Sequence, residues 1–399
     1  MTSLDVSNNT TLTYLDCSYN QLTSLDVSTN TTLTHLLCNG NQLTSLDVNN
    51  NTALTDLYCA WNQFTSLDLS NNAALSYLDC SYNQMTSLDV NNNTALTYLN
   101  CGINQITSLD VSTNTALDTL YCYNNQLTSL DVSQNTALTV LVCNDNSLTN
   151  LDVNNNTALT YLSCDDNQLT NLDVNNNTAL TGLHCDNNQL TNLEVNNNTA
   201  LTFLRCHNNQ LTSLDVSNDT ALTYLYCDYN QISSLDLSQN ANLYRVDCND
   251  NLLICLNVKN GNNAVLYTIR ATNNPGLTCV EVDDTASTGT STSSWMFDPQ
   301  VSFSTNCGNA CNSVGIEENN NHVLGFSSFP NPFSDQLTLE FNDHLNYEIK
   351  VLDLIGKELL MMNANGSSHV LSTSHLPAGV YIIQVRSEDR IGVQKLIKK

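Results

Sequence analysis

Basic side chains are nearly missing from this sequence: 11 Lys and Arg stand against 38 Asp and Glu in 399 residues, a formal net charge of −27. Before Lys259 the only two are Arg205 and Arg245. Phosphate recognition needs clustered cations, so no nucleic-acid partner is expected, and an anionic membrane surface is disfavoured for the same reason. Charge of one sign instead keeps an extended surface soluble and apart from its copies. Long apolar runs are missing too; none approaches the roughly 18 residues that cross a bilayer, so no transmembrane segment is expected. No signal peptide opens the chain. Met1-Thr2-Ser3-Leu4-Asp5-Val6 already lies inside a repeat, which reads as a fragment or a misplaced start lacking its N-terminal region. No nucleophile, His and acid converge on a pocket, so the chain does not read as an enzyme.

What is present is repetition. The stretch Leu12 to Thr32, LTYLDCSYNQLTSLDVSTNTT, recurs every 21 residues, and twelve cysteines from Cys17 to Cys248 fall in one column. An asparagine column runs from Asn20 to Asn251 without a break, and a second runs from Asn9 to Asn240 with only Asp219 departing. Such a period means a solenoid. Each period has two similar halves, LTxLxCxxNQ and LTSLDVSxNTA. Alternation in each places Leu with Cys, or Leu with Val, inward and the flanking residues outward. The asparagine amides read as brackets for the backbone of the turns and the next coil. In-register cysteines lie about 4.8 Å apart with parallel Cβ vectors, whereas a disulfide wants Cβ atoms about 3.5–4.5 Å apart. The column is therefore expected to be a ladder of buried, reduced thiols. Neither half shows a helical pattern, so the far side of each coil is expected to be extended or 3₁₀.

A 21-residue period with Cys in place of a Leu resembles the internalin family of surface adhesins, specifically its internalin J type. The resemblance covers about Leu4 to Val258 and implies a curved, right-handed, β-dominated leucine-rich-repeat solenoid at a cell surface, with adhesion as its role.

After Cys248 the period loosens. Cys255 and Cys279 both occupy the outward Ser position of the second half, one coil apart, and form one candidate disulfide; Cys279–Cys307 and Cys307–Cys311 stay open as alternatives. Composition changes after Cys311, and alternation such as Leu337-Thr338-Leu339-Glu340-Phe341 reads as short strands. Four motifs follow in order: Phe329-Pro330-Asn331-Pro332, Leu352-Asp353 with Gly356-Lys357, Leu376-Pro377-Ala378-Gly379-Val380-Tyr381, and Lys395-Leu396-Ile397-Lys398-Lys399. Together they resemble the type A C-terminal sorting domain of the type IX secretion system of Gram-negative bacteria. That resemblance implies a small all-β sandwich read by the secretion machinery and removed on export, leaving the rest extracellular or on the outer-membrane surface. It singles out Pro330, Asn331, Pro332, Gly379, Tyr381, Lys395 and Lys398. The expected divisions are residues 1–251 for an array of about 12 repeats, 252–311 for its cap, 312–325 for a linker and 326–399 for the sorting domain.

The repeats can be compared with one another. The LTSLDVSxNTA half is nearly constant, as a scaffold demands; variation gathers at outward positions of the other half. There lie Tyr14, Tyr58, Tyr77, Tyr98, Tyr121, Tyr161, Phe203, Arg205, Tyr224 and Tyr226, with Trp61 at the adjoining rim. Exposed Tyr and Trp on a rigid sheet suit a protein or glycan ligand, because they combine apolar faces with hydrogen-bonding tips. Stacking between neighbouring coils is the plainer reading of the same rows. The alternative function is a structural, matrix or spacer protein without a ligand. No cofactor is required; the outward acidic column from Asp5 to Asp236 reads as solvated charge with calcium as its alternative, and a second cluster, Asp165, Asp186, His207 and Asp228, is a candidate set for a divalent cation such as calcium.

Overall fold

The computed structural model describes residues 1–285, 294–308, 311, 326–329, 333–341, 346–352, 357–374, 376–377, 379–387 and 390–399. The chain forms two compact units, Met1–Asn312 and Ser313–Lys399.

In the first unit each 21-residue coil contributes one three-residue strand, beginning with Tyr14–Asp16, His35–Leu37 and Asp56–Tyr58. The strands pair in parallel and in register, Tyr14 on His35 and Leu15 on Leu36, so the repeat in sequence becomes a vertical file in space. Fourteen of them make one sheet, ending in Arg245–Asp247, Thr268–Ala271 and Ser294–Phe297. A second sheet of four strands, Ser234–Asp236, Cys255–Asn257, Cys279–Glu281 and Ser302–Ser304, forms where the other half of the coil also pairs. The coils therefore run past residue 251: the region read as a cap adds strands to both sheets. The unit is a β-solenoid of about 13 turns with no helix among the described residues.

Strands are this short because only the x-Leu-x segment alternates before the chain turns again. The central Leu faces inward with the following Cys, and Leu33, Leu36 and Cys38 are fully buried, as are Leu22 and Val27 of the preceding coil. All twelve column cysteines are buried free thiols. Several donate weakly to the next coil, as Cys17 Sγ does to Leu37 O at 3.5 Å. Burial raises their pKa values, to about 11 for Cys17 at the end of the column and about 12 for Cys101 and Cys143.

The asparagines hold the turns. Asn41 donates Nδ2–H to Cys17 O and Cys38 O, each at 3.0 Å, and its Oδ1 accepts Leu22 N–H at 2.9 Å. One amide thus ties two coils together through three backbone groups, and Asn274 still makes the same set at the far end. In the second column Asn30 donates to Val6 O at 3.0 Å and Asn9 O at 2.8 Å. Asp219 occupies this column without an N–H to give. Both of its oxygens are buried and lack a hydrogen bond. Burial, with Asp215 nearby, pushes its carboxyl from 3.8 up to about 7.

The disulfide expectation needs correction. Cys255 pairs with Cys311 and Cys279 with Cys307, not Cys255 with Cys279. The two strands are in parallel register, Leu256 on Val280, so Cys255 and Cys279 project side by side like the column thiols. Each instead meets a cysteine from the segment that follows the last strand. Cys279–Cys307 was among the open alternatives; Cys255–Cys311 was not.

The second unit holds an antiparallel sheet of Phe326–Phe329, Gln336–Phe341 and Ser368–Ser372, and another of Glu358–Asn365, Asn346–Leu352, Gly379–Ser387 and Arg390–Lys398. Leu337, Leu339, Ile349, Val351, Ile383 and Val385 form its core, the alternate positions of strands buried on one face.

Two outcomes follow. Denaturation without reductant should release twelve titratable thiols while the native protein releases essentially none; a count near zero after denaturation would refute the ladder. The Asp219 carboxyl is raised in the fold, so the folded state keeps a proton that the unfolded chain sheds, and stability should fall as pH rises from about 4 to about 7. Asp219→Asn restores two N–H donors and should raise the melting temperature at pH 7.5, by an amount that shrinks toward pH 4; equal melting curves at both pH values would sink the assignment.

Candidate functional site: the outward strand face

The residues flanking each inward Leu face outward, so the first and third residues of every strand in the large sheet form two outward files. All ten strand residues expected there lie in these files. The structure gathers them in groups. Tyr58, Tyr77 and Tyr98 stack, with ring centroids 4.5 and 4.1 Å apart and interplanar angles of 27° and 3°. Tyr14 lies 5.9 Å from His35. Farther along, Phe203 meets Tyr224 at 5.5 Å and Tyr226 at 5.6 Å, and the Arg205 and Arg245 guanidinium groups lie 5.6 and 5.1 Å from the Tyr226 ring. Stacks of this kind contribute roughly 0.2–1 kcal/mol per pair across strands, and they use up ring faces.

The rim has a feature that spacing alone did not show. The second residue after each column Cys is left-handed in coil after coil: Tyr19, Trp61, Tyr82 and Ile103 have φ of 52°, 55°, 52° and 52°, and Asn124, Asp145, Asp166, Asn187 and Asn208 follow suit. Asn and Asp tolerate this region and Gly40 is at ease in it, but a β-branched or bulky side chain is costly there. The readable signal was the set of Gly, Asn and Asp sharing the column. Trp61 stacks on Tyr82 at 3.6 Å and 13°, yet remains 54% exposed.

Between the stacked groups the aromatic files break at Val140 and Val142. A cavity of about 580 Å³ opens there, lined by Tyr98, Asn100, Tyr121, Tyr123, Val142, Asn144 and Tyr161. Asn100, Tyr123, Val142 and Asn144 were not among the candidate residues, because the hollow arises from ring placement. Burial raises the Tyr98, Tyr123 and Tyr161 hydroxyls, Tyr123 to about 12. These three hydroxyls therefore stay uncharged across the physiological range.

The acidic cluster is arranged differently from the set expected. Asp165, Asp166 and Asp186 each place a carboxylate oxygen within 4.8 Å of the others; His207 and Asp228 do not join that tight group. His207 Nε2 lies 3.3 Å from Asp186 Oδ2, and Arg205 Nε lies 3.8 Å from Oδ1. Asn187 Nδ2 donates to the same carboxylate at 3.2 Å, and the Ser163 hydroxyl donates to Asp165. Burial pushes the Asp186 and Asp228 carboxyls up, against the opposing pull of His207. Asp186 Oδ2 thus has protein partners, while its Oδ1 is buried without a hydrogen bond.

In the second unit Pro330, Asn331 and Pro332 lie outside the described residues. Gly379 opens the strand Gly379–Ser387, and Lys395 sits opposite Ile382 on the neighbouring strand. Tyr381 is buried and donates its hydroxyl to Pro377 O at 2.6 Å. Lys398 is also buried, its Nζ donating to Thr373 O. These two motif residues build the interior of the unit.

Comparison with known structures places this architecture. The functional domain of InlJ from Listeria monocytogenes, which includes a cysteine ladder, is 33% identical, with a TM-score of 0.66, over 100% of this chain and 83% of that one. The chain belongs to the internalin J-type family of leucine-rich-repeat proteins. Fold likeness extends beyond the internalins to YopM, a leucine-rich effector of Yersinia pestis, at 25% identity and TM-score 0.56 over 72% of this chain and 83% of that one. An internalin of L. monocytogenes, InlF, gives 24% identity and TM-score 0.51 over 61% of this chain and 83% of that one. No curated protein sequence matches the chain. Residues 327–399 match the secretion system C-terminal sorting domain. This internalin-type chain is accordingly a secreted or cell-surface protein addressed to the type IX machinery. Among the described residues no helix is long and apolar enough to cross a membrane.

The left-handed rim yields a stability test. Replacing β-branched Ile103, at φ 52°, by Asn should stabilise the fold by about 1 kcal/mol, read as a higher denaturant midpoint at unchanged m-value. A lower midpoint would show that Ile103 contributes more through packing than its backbone costs.

Proposed function

We propose that the solenoid is a binding module that recognises a surface ligand, protein or glycan, through its variable strand face, and so serves adhesion after export. The observation that carries this reading is the segregation of variety. Inside the coil, Leu, Cys and Asn repeat with little change; the first outward file varies through Tyr, His, Asp, Thr, Val, Gly, Phe and Arg, with Tyr77 and Tyr98 its one adjacent repeat. A spacer needs no such variety on one face. The sorting domain supports the location, since it delivers the array to a place where it meets other surfaces.

Binding is favoured over catalysis by the same geometry. The strand face is open, and the abundant nucleophile, the thiol, is buried with its pKa raised. A thiol so raised is a poor nucleophile.

A spacer reading draws on one observation, the self-stacking of Tyr58, Tyr77 and Tyr98, which stabilises neighbouring coils without any ligand. The two readings separate on one experiment. The full chain is applied to arrays of immobilised host-surface proteins and glycans, beside a variant carrying Tyr58, Tyr77, Tyr161 and Tyr224 each changed to Ser. Selective binding by the parent, lost by at least about tenfold in a variant of similar melting temperature, is the expected result. Binding that is absent, or equal in the two proteins, would favour the spacer.

A further inference from the structure

The hollow between Tyr98 and Tyr161 is built, in the sense that two glycines set its walls. The Tyr123 ring lies over Gly102 in the preceding coil: a Cβ added at Gly102 would fall 2.4 Å from Tyr123 Cε1. The Tyr161 ring lies over Gly182 in the following coil, where an added Cβ would fall 2.9 Å from Tyr161 Cδ2. One ring leans toward lower and the other toward higher residue numbers, so the two lean apart. Between them the third-position file runs Tyr121, Val142, Ser163, and the first-position file runs Thr119, Val140, Tyr161. The coil of Val140 and Val142 thus carries no aromatic in either file, and the first-position file, broken at Thr119 and Val140, resumes at Tyr161.

This interruption changes what the rings can do. In the Tyr58–Tyr77–Tyr98 stack each inner face covers another, so edges and hydroxyls face outward. Tyr121 stands 5.8 Å from Tyr98 at 55°, tilted out of the stack, and its file continues with a valine. Tyr161 meets His184 edge-on at 66° rather than face to face. Asn100, anchored through Oδ1 to the Gly102 N–H at 3.1 Å, offers its Nδ2, and Asn144, whose Nδ2 donates to Asp145 Oδ2 at 2.7 Å, offers its Oδ1 to the lining. The volume, about 580 Å³, suits a small ligand. No carboxylate and no cation lines it, in a chain of net charge −27.

We propose that this hollow is a subsite for an uncharged sugar ring of a glycan, seated between Tyr121 and Tyr161 with its hydroxyls on the Asn100 and Asn144 amides. The inference rests on the reading of the strand face as a binding surface and narrows it to one place and one ligand class. Free ring faces take the apolar side of a pyranose, and amides and phenols take its hydroxyls. Sialylated or sulfated sugars are disfavoured by the surrounding negative charge.

The test uses the full chain and defined probes: neutral oligosaccharides of glucose, galactose, mannose and N-acetylglucosamine, with sialyllactose and a sulfated disaccharide as anionic controls, followed by calorimetry and saturation-transfer NMR. Val142→Tyr fills the gap with a residue that the same file already carries at positions 58, 121 and 226, so folding should survive. Gly182→Ala pushes the Tyr161 ring inward. Ser129→Ala, exposed on the constant half of the same region of the array, is the control. At least one neutral probe should bind, the anionic probes should not, and Val142→Tyr and Gly182→Ala should each weaken binding at least about tenfold while Ser129→Ala leaves it within about twofold. The subsite is overturned if no neutral probe binds, or if Val142→Tyr binds like the parent at equal melting temperature. If the arrays return only protein ligands, lost in the four-tyrosine variant, the sugar subsite fails while the binding face stands.

Discussion

Every outward row in this molecule depends on one coil settling on the next without slipping, and the asparagine amides hold that register. An in-register parallel sheet of three-residue strands has few hydrogen bonds per coil, and apolar side chains in the interior tolerate sliding. The amide of Asn41 does not: it needs two carbonyls and an N–H at fixed places on adjoining turns. Repeated at every coil, this bracket converts a sequence period into columns. Buried backbone groups that would otherwise lack partners in the turns are satisfied by the same contact.

The thiol column follows from that register. Cysteines of neighbouring coils stand slightly too far apart at Cβ, and with side chains too nearly parallel, to bridge one another, so they pack as small apolar groups and weak donors. Disulfides appear only where the chain leaves the repeat and a cysteine approaches from outside, at Cys255–Cys311 and Cys279–Cys307. One residue type thus plays two roles, set by whether its partner comes from the next coil or from a crossing segment.

Much of this was legible in the sequence, because a repeat writes its geometry twenty-one residues at a time. The inward Leu and Cys, both asparagine columns and the outward files were readable from alternation and spacing, and the sorting domain from its motifs. What stayed hidden depends on contacts without a period. The Cys255 partner lies 56 residues away in a segment with no repeat to place it. The hollow exists because two rings lean over Gly102 and Gly182, and a glycine in one column gives no hint of the tyrosine in the next coil that will cover it. The left-handed rim could have been inferred from its Gly, Asn and Asp members, but Tyr, Trp and Ile in the same file masked it. Tyr381 and Lys398 belong to a sorting signature, and nothing in the motif announces that both are interior.

The second, four-stranded sheet begins only at Ser234. Coils before it pair as strands on one side and are held on the other by single backbone bonds and asparagine amides, such as Gln42 N–H to Leu22 O and Asn51 Nδ2 to Asn30 O, each at 2.8 Å, whereas coils after it pair as strands on both sides and are cross-linked twice. An array made this way is graded: the coils that pair on both sides and carry the cross-links resist separation longest. Amide exchange would then be slowest between Ser234 and Ser304, and under force or heat the singly paired coils would part before that region does.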